Sequence, residues 1–318
     1  MQKLRGHVLR GHVLRWHVDK YIRNGTLAKK SKGALWKVTR GLLLFGLTFI
    51  LLYPMLFMMS NSFKPVAQNY DPSVIWIPKS FTLQNFADAL QVMQFGPSLL
   101  NTFSINIVTA LIQLCSCTVA GYGFARFRFK GRGAAFAAVL LTIIVPPQVL
   151  SLSMYKTFVD LKLIDTVFAF HVPAIFGQGL KSGLYIFVFR QFFRGLPAEL
   201  DDAATVDGCG TFGIFTRIMI PNATPAILTV FLFSIVWQWS DFYGPAMYMD
   251  KYTIATALYN FKINLQELPG MGNNIWDPFY ISTRIQAACL LSVAPLLVMY
   301  AFLQKRFVEG VERTGIVG

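Results

Sequence analysis

The sequence predicts an all-α polytopic membrane protein with six transmembrane helices and a structured loop on its cytoplasmic side. Three observations predict it: long apolar runs, a one-sided distribution of Lys and Arg, and one loop with its own helix-start and helix-stop signals. The chain is 54% hydrophobic and only 14% charged, with 29 Phe among 318 residues. That apolar content exceeds what a soluble core needs, so lipid is the expected solvent.

A helix crossing the bilayer needs about 20 mostly apolar residues. Runs at 41–60, 98–120, 134–155, 226–248 and 281–303 meet that length, and 167–189 does so despite Lys181. Residues 41–60 are too long for the apolar region of a secretory signal, and no A-x-A-like cleavage site follows, so they read as an uncleaved first span. Pro146-Pro147 should kink or break the third span, because proline removes a helical hydrogen bond and clashes with the preceding turn. Pro173, Gly177, Gly179 and Gly183 weaken the fourth around Lys181, and non-helical backbone at that depth is tolerated where it lines a cavity.

Six spans place both termini on one side. Residues 1–40, 121–133, 190–225 and 304–318 hold 21 of the 29 Lys and Arg but 7 of the 15 Asp and Glu. The opposite loops, 61–97, 156–166 and 249–280, together with Arg284 at the start of the sixth span, hold seven of each. Only Lys181 and Asp241 remain, so the whole net charge of +14 lies on the side of the termini, which the positive-inside rule makes the cytoplasm. Nucleic acid is not the expected partner, because eleven basic residues precede the first span and the others are divided among short loops.

The chain thus divides into a basic cytoplasmic head over 1–40, a transmembrane domain over 41–303 and a cytoplasmic tail over 304–318. The head carries LRGHV, LRGHV and LRWHV in tandem. Five-residue steps on an ideal helix make successive imidazoles of His7, His12 and His17 diverge by roughly 140°, so a disordered or membrane-surface basic tail is expected, not a metal site. Trp36 among basic residues suits headgroup depth. Cys115, Cys117, Cys209 and Cys289 imply neither disulfide nor metal, since a lone C-x-C has no second pair. Residues 61–97, rich in Pro and aromatics but too polar for lipid, should form a small external cap, and the glycine-rich 121–133 a tight cytoplasmic turn.

The 190–225 loop is unlike ordinary connecting sequence. Pro197 can open a helix, and Glu199, Asp201 and Asp202 place negative charge near its positive N-terminus. Ala203 and Ala204 continue it. Gly208 and Gly210 provide a stop or sharp turn, after which Phe212, Phe215 and Ile218 set apolar groups on one helical face as far as Pro221. A helix-turn-helix knob is expected.

At this loop the sequence resembles the permease subunits of binding-protein-dependent ABC importers, whose signature places an acid and two alanines before Asp-Gly and then a Phe–Ile–Pro segment. Here these are Asp202-Ala203-Ala204, Asp207-Gly208, and Phe215, Ile218 and Pro221. Asp202 stands where glutamate is usual, and Gly210 follows the signature glycine. The resemblance extends through GYGFARFRFKGRG, IIVPPQV, FRQFFRGLP, WQWSDF and FVEGVERTGIVG, covers residues 41–318, and is similar to the maltose-permease-like carbohydrate subfamily. It implies a coupling helix seated on a separate ATPase, formed by Glu199, Asp202, Ala203, Ala204, Asp207 and Gly208 with Phe215 and Pro221. It further implies a second permease subunit, an ABC ATPase dimer that binds ATP and Mg, an extracytoplasmic solute-binding protein, a sugar substrate, and a prokaryotic cell membrane location.

No phosphate-binding loop occurs: GQGLKS at 177–182 has Leu180 where glycine should precede lysine. H-E-x-x-H and G-x-S-x-G are also missing. The chain is therefore expected to be a transport subunit without a cofactor or catalytic role of its own. Intramembrane ionisable residues are functional candidates by default, which singles out Lys181 and Asp241, either facing an aqueous path or paired with each other. Around Asp241, Trp237, Gln238, Trp239 and Ser240 combine aromatic faces with hydrogen-bonding groups, the mixture that sugar recognition uses; the alternative is packing between helices with polar glue. A permease for a non-sugar solute, or a self-contained secondary transporter with a coupling-ion route, are the competing readings.

Overall fold

The computed structural model describes residues 36–270, 274 and 276–315. The histidine repeats and most of the basic head lie outside them. Every regular element among the described residues is helical. The chain divides into two compact units, 1–59 and 60–318.

The first unit contributes most of α1, which spans Trp36–Ser62 and begins five residues before the expected run. Leu42, Leu43, Phe45, Leu47, Ile50 and Leu51 are all exposed. A helix apolar on every side needs an apolar environment, which lipid supplies.

In the second unit, α2 (Gln84–Val92) precedes α3 (Phe95–Arg126), 32 residues and thus about 48 Å long. Then come α4 (Arg132–Ile144), α5 (Pro147–Asp160), α6 (Phe168–Ile175), α7 (Ser182–Gly195) and α8 (Glu199–Val206). They are followed by α9 (Thr211–Asn222), α10 (Thr224–Trp239), α11 (Tyr243–Tyr248), α12 (Ile254–Tyr259), α13 (Phe261–Glu267) and α14 (Pro278–Gly315). Helices α1, α3 and α14 are each long and apolar enough to cross a bilayer, and two bent pairs, α4 with α5 and α9 with α10, pass the same test together.

Three expected spans are not continuous helices. Between α4 and α5 the chain turns by 103° at Val145 and Pro146, both extended. A residue before proline is pushed out of the helical region, and Pro147 then opens α5 at its first turn. The run 167–189 is α6 and α7 separated by Phe176–Lys181. The run 226–248 stops at Trp239, because the Asp241 carboxylate accepts from the Tyr243 and Gly244 backbone N–H groups at 3.1 and 3.2 Å and starts α11 afresh. Conversely, α14 continues without a break beyond the expected span end at 303.

Two cores lie near opposite ends of α3. One joins Cys117 and Tyr122 of α3 to Tyr185, Phe189 and Phe193 of α7 and to Ile214 and Met219 of α9. Gly121 makes the α3–α7 crossing possible: a Cβ there would overlap the Phe189 Cβ and sit 3.0 Å from the Arg190 N. The other joins Ala89, Val92 and Met93 to Ile254, Ala257, Phe261 and Leu265 of α12–α13 and Ala287 and Ala288 of α14. A buried ion pair fastens α2 to α14: Arg284 and Asp88 are 2.7 Å apart, with side chains 7% and 4% exposed. Gln84 donates to the second Asp88 oxygen at 2.6 Å, and the Arg284 guanidinium stacks 3.4 Å from the Tyr280 ring centre. After α1, buried Lys64 donates to the Ile75 carbonyl at 2.7 Å, and Asn85 holds the Ser62 and Lys64 carbonyls at 2.9 and 2.8 Å. Residues 63–94 are thus an ordered segment with α2 fastened to α14.

Candidate functional site

Two neighbourhoods hold the residues singled out in the sequence. The first is α8, its turn and α9. Glu199, Asp201 and Asp202 occupy the first turn of α8, where the helix dipole favours negative charge. Asp201 is drawn back to the end of α3, 3.1 Å from the Arg126 Nε, while Arg126 also donates to the Leu196 carbonyl at 3.0 Å. Gly208 has φ +81°, the left-handed conformation that favours glycine at a helix C-terminus, and its N–H donates to the Thr205 carbonyl at 3.0 Å.

The outward surface of this knob carries Glu199, Asp202, Ala203, Asp207, Gly208 and Pro221, all exposed. Ala204 is buried, and Phe215 packs its ring 4.8 Å from that of Tyr122. These two support the knob from behind. Phe212, expected on one helical face with Phe215 and Ile218, is instead 79% exposed. The inward stripe is centred on Ile214, Phe215, Ile218 and Met219, and Phe212 sits about a quarter turn off it. A π-helical turn over Phe215–Met219 widens α9 at the same place, so regular three-residue spacing does not extend across it. Val206, unremarked in the sequence, is 88% exposed at the end of α8. Two bare apolar side chains therefore flank the Gly208 turn.

The second neighbourhood surrounds the breaks in the expected fourth and fifth spans. Gln113, buried on α3, donates to the Leu180 carbonyl at 3.1 Å and the Ser182 hydroxyl at 2.8 Å. Its carbonyl oxygen accepts from Ser234 at 2.8 Å and from Gln238 at 3.0 Å. One glutamine thus satisfies the non-helical backbone before α7 and ties it to α10. Lys181 takes φ +63° at the start of α7, and its ammonium lies 4.5 Å from the Trp237 ring centre. Lys181 and Asp241 form no ion pair among the described residues. Trp239 is turned away from this cluster: it is buried, donates to the Ser292 carbonyl of α14 at 3.0 Å and packs its ring 5.5 Å from Phe103. Ser240 is exposed and donates to the Val236 carbonyl at 3.1 Å. Of the six candidate path residues, Lys181, Trp237 and Gln238 gather around Gln113, while Trp239 serves helix packing and Asp241 starts α11.

Residues 117–313 match the family described as binding-protein-dependent transport system inner membrane component. The chain belongs to this family. The matched segment of this inner membrane component contains the whole α8–α9 knob and the α7 and α10 sides of the polar cluster, while Gln113 lies just before it. The chain is 29% identical over 293 residues to the arabinooligosaccharides transport system permease protein AraQ of Halalkalibacterium halodurans, covering 89% of this chain and 96% of that protein. It is 28% identical over 254 residues to the melibiose/raffinose/stachyose import permease protein MelC of Bacillus subtilis, covering 78% and 86%. Among solved structures, a chain of a bacterial ABC transporter involved in the import of the acidic polysaccharide alginate superposes with a TM-score of 0.71 at 19% identity, covering 86% of this chain and 96% of that one. The fold is shared with that transporter, and the family makes this chain a multi-pass permease subunit of an ABC importer.

Sequence reasoning passed over Gln113, Ser234, Val206 and Phe212 as functional residues. Gln113 had a usable signal: the one amide in the apolar stretch 107–120, costly in lipid unless a partner faces it.

Proposed function

We propose that this permease subunit carries a sugar or oligosaccharide across the membrane by alternating access, driven by a separate ATPase. Its partners are a second permease subunit, an ABC ATPase dimer that binds the ATP and Mg, and an extracytoplasmic solute-binding protein. The relatives named for arabino-oligosaccharides and for melibiose, raffinose and stachyose support the substrate class. The observation that carries the coupling role is the knob: a short helix, a left-handed glycine turn and a second helix, tied to the end of α3 and presenting Val206 and Phe212 at its tip.

In this reading Glu199, Asp202, Ala203, Asp207 and Gly208 meet the ATPase, with Val206 and Phe212 entering its apolar cleft. Small side chains permit close approach, and carboxylates pair with basic groups. Ala204 and Phe215 transmit the push to the α3–α7 core, and Pro221 ends the outward edge. Six spans are formed by α1, α3, the bent α4–α5, the interrupted α6–α7, α10–α11 and α14. Both termini are cytoplasmic, as the placement of 21 of the 29 Lys and Arg supports. Lys181, Trp237 and Gln238 border the substrate path, where an aromatic face and amide donors suit a sugar ring and its hydroxyls.

The test is uptake by proteoliposomes containing the complete importer, with radiolabelled arabino-oligosaccharides, raffinose and stachyose offered with their binding protein. Accumulation should require ATP and the ATPase subunit. Uptake that persists without the ATPase and follows an ion gradient would establish the secondary-transporter reading instead.

A further inference from the structure

The ends of α3, α4 and α7 meet α8 and the first turn of α9 around a cavity of about 460 Å³. Its wall carries four guanidinium groups, Arg126, Arg128, Arg132 and Arg194, against two carboxylates, Asp201 and Asp202. Arg126 is committed to Asp201 and to the Leu196 carbonyl, and Arg132 gives one bond to the Phe127 carbonyl at 3.0 Å. Arg128 and Arg194 have no ion-pair partner among the described residues. Arg190, one turn before Arg194 and outside the cavity wall, adds positive charge nearby: it stacks 3.9 Å from the Phe136 ring centre, burial and then the charges of Arg194 and Arg132 pull its pKa down, and its buried Nε has no partner among the described residues.

Like charges gathered around one cavity repel, and its two carboxylates do not balance its four guanidiniums. A phosphate does: it supplies negative charge and several acceptor oxygens to forked donors built for that geometry. The depth of the cavity points to a source. Arg126 ends α3 and Arg132 begins α4, so the arginines stand where the helices leave the apolar slab, and Phe127 and Phe129 between them are exposed.

We propose that this cavity binds a phosphate group, supplied by the headgroup of an anionic phospholipid of the cytoplasmic leaflet. The bound headgroup bridges the span ends to the α8 side of the knob. This rests on the cytoplasmic placement of residues 190–225 proposed above. Basic pockets between spans on that side of a membrane are natural sites for such headgroups.

The test is lipid retention by the assembled importer in nanodiscs of mixed phosphatidylglycerol and phosphatidylcholine, read by native mass spectrometry. The wild type should retain phosphatidylglycerol selectively. Arg128→Gln with Arg194→Gln should weaken retention about fivefold per arginine, roughly 25-fold together. Lysine at both positions should keep most of it, and Lys156→Gln with Lys162→Gln, at the opposite side, should change nothing. Unchanged retention in the arginine-to-glutamine pair overturns the proposal. In pure phosphatidylcholine discs, inorganic phosphate that stabilises the wild type but not the glutamine pair, without selective lipid retention, leaves the phosphate site standing and removes lipid as its source. A glutamine pair that sheds the ATPase subunit while retaining phosphatidylglycerol normally would assign these arginines to acidic groups of that subunit, again overturning the proposal. Retention is measured without transport, so a failed uptake assay beside normal retention counts against the transport reading alone.

Discussion

Gln113→Leu separates a structural glutamine from an incidental one. The change removes four hydrogen bonds, to Leu180, Ser182, Ser234 and Gln238. Interhelical bonds in membranes contribute about 0.6 kcal/mol each, so the loss is roughly 2.4 kcal/mol, or about sixtyfold in the folded-to-unfolded ratio. The loss does not fall evenly. Gln238 still donates to Ser234 at 2.7 Å, so the α10 side keeps a bond within itself. The Leu180 carbonyl and the buried Ser182 hydroxyl lose the side chain that holds them, so the damage concentrates on the interruption before α7. Cysteine introduced at Lys181 in a cysteine-free background should then react faster with a water-soluble maleimide, and uptake should fall at unchanged membrane level. Gln113→Asn, which keeps the amide but shortens its reach, should fall between. Wild-type uptake and wild-type labelling in Gln113→Leu would refute the idea that this glutamine holds the break.

Gly208→Pro should abolish ATPase-coupled uptake while leaving the subunit in the membrane, because proline near φ −65° cannot adopt +81° and also lacks the N–H given to Thr205; normal transport would remove the coupling role from this turn. Val206→Asp with Phe212→Asp should release the ATPase during affinity purification without changing thermal unfolding of the permease, since both side chains are bare; an unchanged subunit ratio would place the docking surface elsewhere. Arg284→Met alone should destabilise by about 3–5 kcal/mol by stranding Asp88, whereas Arg284→Met with Asp88→Leu should recover most of it; denaturation showing equal losses for single and double variants would contradict the account of that ion pair.

The apolar runs that form α1, α3 and α14 were readable because bilayer thickness sets a length that few other constraints impose, and the Pro146-Pro147 break because proline acts locally. The acidic first turn of α8 and the glycine turn after it were readable for the same reason, since caps and turns depend on neighbours in sequence. Helix faces were not. In a chain whose outer surface meets lipid, apolar residues point both inward and outward, so periodicity loses its contrast, and Phe212 could not be told from Phe215. The core of α2, α12, α13 and α14 was hidden for a different reason. Helices of six to nine residues carry little pattern, and the pair that fastens them, Asp88 and Arg284, is separated by 196 positions. Lys181 and Asp241 were found as costly charges, but their partners, an indole face and two backbone N–H groups, leave no trace in a count of opposite charges.

The link between Arg126 and Asp201 is where the knob is tied to the membrane domain by charge, and its removal tests how movement passes between them. Helix α3 runs from the Arg126 end, packed in the α7–α9 core, to Phe95 and Leu99, packed in the α2–α14 core. A rigid helix about 48 Å long carries a displacement at one end to the other, provided that its end is held to what moves. Tyr122 against Phe215 supplies one hold and the Arg126–Asp201 pair the other. Asp201→Leu should leave ATPase binding intact, because Asp201 is turned away from the exposed edge, yet lower uptake per ATP hydrolysed. Arg126→Met should do the same. The double variant should be no worse than either single one, since both changes cut one connection. Additive defects would show that the two residues act separately, and an unchanged ratio of uptake to hydrolysis in all three would show that the aromatic contact alone carries the movement.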